Sequence, residues 1–209
     1  MTADTRTIND NSIELLIRAN QLREMREYQQ ALKIYINVVR QSAETVDLDQ
    51  MIAYTYFQLG LNEGDETNYH MALVWINKAI ALAPDKSHLY DILGMFHSLG
   101  TLNCQGAANA FRKAIELNPN NVHALVSGAA LYNVPEEVIT LAEAINWLKQ
   151  AVQIEPNDPN YHLNLAILFK KAGNSLEVKN ECLNALMCPR PLDKSIAKTI
   201  YNLLDTASP

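Results

Sequence analysis

A register of small and large residues closing on a proline recurs three times in this chain, and it leaves few ways for the chain to fold. Ala72, Ile76, Ala79 and Pro84 are matched by Ala107, Phe111, Ala114 and Pro119, and again by Ala144, Leu148, Ala151 and Pro156. The three prolines stand 35 and 37 residues apart. Residues spaced four and three apart share one face of an α-helix. Each set is therefore a helix whose small residues let a neighbour approach closely while the large one fills the gap between them. Proline ends the helix, because its ring clashes with the preceding turn and turns the residue before it away from helical geometry. Asp or Asn follows each proline, which suits a turn and then a cap for the next helix. A second frame alternates with the first: Tyr56-x-x-Leu59-Gly60, Tyr90-x-x-Leu93-Gly94-x-x-His97, Leu125-x-x-Gly128-Ala129-x-x-Tyr132 and His162-x-x-Leu165-Ala166-x-x-Phe169. Its Gly or Ala marks a helix crossing.

These residues resemble the tetratricopeptide repeat, a helix–turn–helix unit of about 34 residues. Tyr90, Leu93, Gly94, Ala107, Phe111, Ala114 and Pro119 stand here as pieces of its pattern. The resemblance implies an all-α fold, a right-handed α-solenoid of stacked helix-turn-helix hairpins. It places units at about 12–45, 53–86, 87–121, 122–158 and 159–190, in one superhelical domain over 10–205 behind a flexible tail at 1–9. The first unit is degenerate: Leu15, Ala19, Leu22, Ala31, Tyr35 and Val38 fit, but Ala43 replaces the closing proline. The fifth is loose, with Val178, Cys182 and Ala185 in the second-helix slots.

Three length changes break the period. Residues 46–52 are expected to add an early turn to the third helix, and one extra residue falls near Thr101–Asn103. Unit four carries three more. Pro135, Glu136 and Glu137 read as a helix opening, with proline first and acids at the positive end of the dipole, so a lengthened helix is expected there. The last hairpin of a stack needs its apolar face covered. Ile196, Ile200 and Leu203 share a helical face, and a capping helix is expected over about 191–205.

Composition narrows the function. A net charge of -6 with scattered Lys and Arg argues against binding a nucleic-acid backbone. No apolar run is long enough to span a bilayer, and the polar start, Met1 to Thr7, lacks the core of a signal peptide. The chain is expected to be cytoplasmic, with Cys104, Cys182 and Cys188 as reduced thiols. Glycine-rich phosphate loops, H-E-x-x-H, G-x-S-x-G and paired-cysteine motifs are absent, so neither an enzyme nor a cofactor or metal is expected.

In proteins with this repeat, the first helices of successive units line a concave groove. That resemblance places Asn20, Tyr54, Phe57, Leu61, His88, Asp91, Met95, His123, Val126, Asn133, Asn160, Leu163 and Ile167 on a peptide-binding surface. For Phe57, Leu163 and Ile167 a place in the core is equally open. Relatives that grip acidic chaperone tails use Lys, Asn and Arg at set slots; only Asn20 fits here, and Leu16, Gln58, His88 and Ile92 take the others. His88, Asp91 and His123 are expected to make ordinary polar contacts, a pH-sensitive contact and a metal site being the other readings. The implied function is an adaptor or scaffold holding a peptide or helical segment of a protein partner. The alternative is a dedicated chaperone or assembly factor shielding an apolar client, like the small repeat chaperones of type III secretion. Self-association into a homo-oligomer also stays open.

Overall fold

The computed structural model describes residues 10–42 and 45–206. The expected tail at 1–9 and Ala43, where the first closing proline is missing, lie outside the described residues. Among the described residues eleven α-helices follow one another: α1 (Asp10–Glu24), α2 (Tyr28–Gln41), α3 (Val46–Glu63), α4 (Glu66–Leu82), α5 (Ser87–Leu99), α6 (Cys104–Leu117), α7 (Val122–Ala130), α8 (Leu141–Ile154), α9 (Pro159–Lys171), α10 (Ser175–Met187) and α11 (Lys194–Thr206). A 3₁₀ turn, Leu131–Asn133, extends α7. No strand occurs among the described residues. The fold is all-α and built of helical hairpins, as the repeat requires. None of the helices is long and apolar enough to cross a membrane. The chain forms two compact units that divide between Ala107 and Ala108, inside α6.

In the first unit, α1 packs on α2, α2 on α3, α3 on α4 and α4 on α5. The recurring small residues, Ala72 and Ala79, are fully buried around Ile76. On the facing helix, Gly60 is the crossing point. A Cβ there would come within 2.7 Å of the Tyr69 ring, which no relaxed packing tolerates, so the pair of helices can close only because that position is glycine. The extra residues 46–52 form the first turns of α3, as expected, capped by Thr45, whose hydroxyl accepts from the Leu48 amide at 3.3 Å. Gly64 ends α3 in the left-handed conformation, φ 68°.

The second unit repeats the device with other side chains. Gly128 on α7 faces Trp147 on α8, and a Cβ would meet that ring at 2.9 Å. Ala144, Leu148 and Ala151 line the buried face of α8, and Val178, Cys182 and Ala185 that of α10. His162 is buried where the other hairpins carry Tyr or Leu. Its Nδ1 lies 2.7 Å from Glu181 Oε2 and its Nε2 2.9 Å from the Pro156 carbonyl oxygen, tying α9 to α10 and to the preceding turn. α11 lies against α9 and α10 with Ile200 and Leu203 buried. The cysteines form no disulfide, and burial pushes the Cys182 and Cys188 thiols up.

Two local expectations fail, each for a visible reason. After Pro119 and Pro156 the side chain two places on caps the next helix. Asn121 accepts from the Ala124 amide at 3.1 Å and Asp158 from the Asn160 amide at 2.9 Å. After Pro84 that slot holds Lys86, which has only donors, and Asp85 stands one residue too early, so α5 has no side-chain cap. The lengthened helix expected from Pro135 is also absent. Residues 134–140 are irregular, Glu137 adopts a positive φ of 51°, and α8 begins at Leu141. The decisive group is Thr140, whose hydroxyl accepts from the Glu143 amide at 3.1 Å while the Glu143 carboxylate takes the Thr140 amide, a capping box. Arg112 secures the result. Its Nε and Nη2 donate to Glu143 at 2.7 and 3.0 Å, and Nη2 also donates to the Val138 carbonyl at 2.9 Å, an acceptor that a continuous helix would have used internally.

Filling the empty cap with Lys86→Asp is expected to stabilise the chain by about 0.5–2 kcal/mol, read as a higher melting temperature. The Arg112 guanidinium, donating to Glu143, holds that carboxyl below its usual range. A depressed carboxyl contributes stability above its unfolded pKa and loses it as pH falls through the folded one. Glu143→Gln should therefore be less stable than wild type at neutral pH by up to about 1 kcal/mol, given a partly exposed pair. The difference should close on acidification below the ordinary carboxylate pKa, and a gap that persists in strong acid would refute the assignment.

Candidate functional site

The expected groove residues of the first unit divide into three kinds. Asn20 serves the hairpin itself: the Tyr35 hydroxyl donates to its Oδ1 at 2.6 Å, and burial, the main influence on that phenol, raises its pKa. Phe57 is core. It is 2% exposed, its ring stacks on Phe96 at 4.5 Å between centroids, and it tilts against Tyr69 at 5.8 Å. Its place on the binding surface is withdrawn, because α3 turns this side chain toward α4 and α5. The rest reach the surface. Tyr54 and Met95 are half-buried neighbours, with the phenol hydroxyl 3.9 Å from the Met95 sulfur and the Tyr54 ring edge-on to Phe96. His88 is exposed and lies 3.2 Å from Gln50 Oε1. Leu61 is 50% exposed, and Asp91 is half-buried on α5 beside them. Two side-chain contacts, Tyr54 to Met95 and Gln50 to His88, thus join α3 to α5 across a surface of mixed polarity.

The second unit gathers its residues more tightly. Val126 on α7, Asn133 at the end of the 3₁₀ turn and Ile167 on α9 line one cavity of about 110 Å³, together with Ala129, Ala130, Leu148, Asn164 and Leu168. The arrangement follows from the hairpin geometry. Small residues at 129 and 130 leave room on α7, and Leu148 of α8 closes the floor. Asn133, after α7, and Asn164, on α9, add amides to this otherwise apolar lining. An apolar cavity of about 150 Å³ takes up a benzene ring, and this one is of the size for a single aliphatic side chain. Leu163 is not part of it; it is 8% exposed and belongs to the core. Asn160 is exposed but occupied, its amide nitrogen donating to the capping Asp158 at 3.0 Å. His123 is exposed on α7 in the second unit, whereas His88 and Asp91 belong to α5 in the first.

Three contributors escaped the sequence reading. Asn164 and Leu148 fall outside the slots that the repeat assigns to its groove, and Leu148 was read only as core. Lys171 lies in the last turn of α9. Its Nζ donates to Asn133 Oδ1 at 2.9 Å and sits 4.8 Å from the centre of the Tyr132 ring. The irregular segment 134–140, with Tyr132, Asn133 and Lys171, bounds a further open hollow of about 440 Å³. A lysine in the final helical turn is the one signal that would have drawn attention to it.

Residues 140–173 match the family model of the TPR repeat. The PEX5-related protein of Rattus norvegicus is 26% identical over 148 residues, which is 70% of this chain and 22% of that protein, so the chain spans about a fifth of that relative's length. Among solved structures, MamA superposes with a TM-score of 0.68 at 20% identity, covering 80% of this chain and 92% of its own. YrrB, a TPR protein with an unusual peptide-binding site, gives 0.62 at 19% identity over 91% of this chain and 92% of its own.

Because Phe57 is enclosed by Phe96 and Tyr69, Phe57→Ala is expected to destabilise the chain by about 3–5 kcal/mol, measured by denaturant unfolding. Met95→Ala, at a half-buried surface site, should lose far less. Equal losses would mean that the α3 face has been assigned wrongly.

Proposed function

We propose that this chain, a tetratricopeptide-repeat protein by its repeat and its fold, acts as a protein-interaction adaptor that receives an aliphatic side chain of a partner segment between α7 and α9. Tetratricopeptide-repeat folds mediate protein–protein interaction, and the observation that carries the finer reading is the cavity itself. Val126 and Ile167 come from the first helices of successive hairpins and converge on one largely apolar slot of about 110 Å³ whose lining includes the amides of Asn133 and Asn164. Burying an aliphatic side chain there supplies affinity, at about 25 cal/mol per Å² of apolar surface. The amides answer the backbone polar groups that come with such a side chain and would otherwise lose their water. The peptide-binding site of YrrB, a protein of the same fold, supports the same reading.

Selection from a displayed random-peptide library tests it. Enrichment of sequences with Leu, Ile, Val or Met at one fixed place is expected, and Ile167→Glu should lose those sequences while keeping its helix content and melting temperature. Selection without a common apolar position, or one that Ile167→Glu retains, would sink the proposal.

A further inference from the structure

The bond between Lys171 and Asn133 has a consequence for what the cavity recognises. A terminal amide can be turned over, exchanging its oxygen and nitrogen with little change of shape. An ammonium has three donors and no acceptor. With Lys171 Nζ at 2.9 Å, the amide of Asn133 must face it with oxygen, and its nitrogen is left to the other side. Asn133 lines both the apolar cavity and the neighbouring hollow that contains Lys171. It is shared by the two linings, and its oxygen faces the lysine. Lys171 itself is exposed, and a long exposed side chain would ordinarily wander. Here the Tyr132 ring, 4.8 Å from Nζ, gives the ammonium a second partner and a fixed seat.

We propose that Lys171 is a positioning residue that sets Asn133 as a hydrogen-bond donor at the mouth of the α7–α9 cavity, so that the occupant is an aliphatic residue whose own backbone carbonyl accepts from Asn133. This rests on the reading of the cavity as a partner site and adds its polarity. The donor and the apolar wall belong to neighbouring side chains, which matches the short reach from a residue's side chain to its own carbonyl. Lys171 and Asn133 end α9 and the 3₁₀ turn after α7, so the same bond links those two elements. Glu137 lines the hollow on Lys171's side. An anionic group entering there meets a carboxylate as well as the ammonium, which favours a neutral carbonyl over a carboxylate as the acceptor.

The full chain, labelled with ¹⁵N, would be titrated with N-acetyl-leucine N-methylamide and followed by NMR, with xenon as a second probe that reports the apolar cavity without any hydrogen bond. In wild type the leucine probe should shift the Asn133 side-chain amide together with Val126 and Ile167. Lys171→Met keeps the apolar stem and removes the donor. It should bind the leucine probe about 3- to 10-fold more weakly, as for the loss of one well-placed hydrogen bond, and take up xenon unchanged. Lys171→Arg, which can still donate to Asn133 Oδ1, should restore most of the affinity. Asn133→Asp, which replaces the donor with an acceptor, should weaken the leucine probe at least as much as Lys171→Met. Unchanged leucine binding in Lys171→Met overturns the positioning role. If Ile167→Glu still abolishes binding in that case, the cavity reading stands without it. Loss of xenon together with the leucine probe in Lys171→Met makes the lysine merely structural, which also overturns the proposal. Tighter binding of N-acetyl-leucine than of its amide, lost in Lys171→Met, would mean that Lys171 meets the ligand itself, and would overturn it equally.

Discussion

Close approach of paired helices is the constraint on which the rest depends. A hairpin of this kind has room for only a small residue at its crossing point, and two hairpins meet that demand with glycine against an aromatic ring: Gly60 under Tyr69 in one, Gly128 under Trp147 in another. Interiors packed at the density of organic crystals transmit such a restriction outward. Once the crossing is set, the buried alanines at 72, 79, 144 and 151 and the large residues between them fall into place as a consequence. The ring does as much as the glycine, since it fills the volume that the missing Cβ leaves open. Each first helix is then held at a fixed angle to its second, and that angle determines which of its residues look outward.

The site is a by-product of the same packing. Between α7 and α9 the side chains at 129 and 130 are only alanines, so neighbouring first helices leave a slot instead of interlocking. Leu148, a core residue of α8, shows through as its floor. Function in such a chain is therefore carried by places where packing stops short. The polar members follow a different logic. Asn133 sits where α7 gives way to a 3₁₀ turn, and Lys171 where α9 ends. Both are terminal positions, at which the backbone leaves the helical path and long side chains can cross to the neighbouring element.

Arg112 illustrates how the irregular segment beside the site is kept in shape. One guanidinium bridges the carboxylate that caps α8 and the carbonyl of Val138. The insertion is thereby an ordered rim and not a slack loop, and Ile139 is buried beneath it. Sequence spacing favours an opening at Pro135 with its two acids, whereas α8 begins at Leu141 behind the Thr140 cap. The competition was decided by a partner 26 residues away in the sequence, which local pattern cannot weigh.

What the sequence determined by itself was everything that periodicity encodes. The all-α class, the buried small–large–small faces and the added turns of α3 follow from residues repeating at helical spacing, because such spacing specifies a face without reference to any distant partner. The outward faces were legible only in part. Val126, Asn133 and Ile167 meet at one cavity, while Phe57 and Leu163, one or two slots from true surface positions, turned inward. An apolar residue near the edge of a helical stripe reads the same whether it faces the core or a partner, and only the rotation of the helix in its hairpin separates the two. The tertiary structure alone decided that rotation, as it decided the meeting of Lys171 with Asn133 across 38 residues. The physical reason is common to both: a side chain's neighbours in space depend on how its helix packs, and sequence spacing records only its neighbours along the helix.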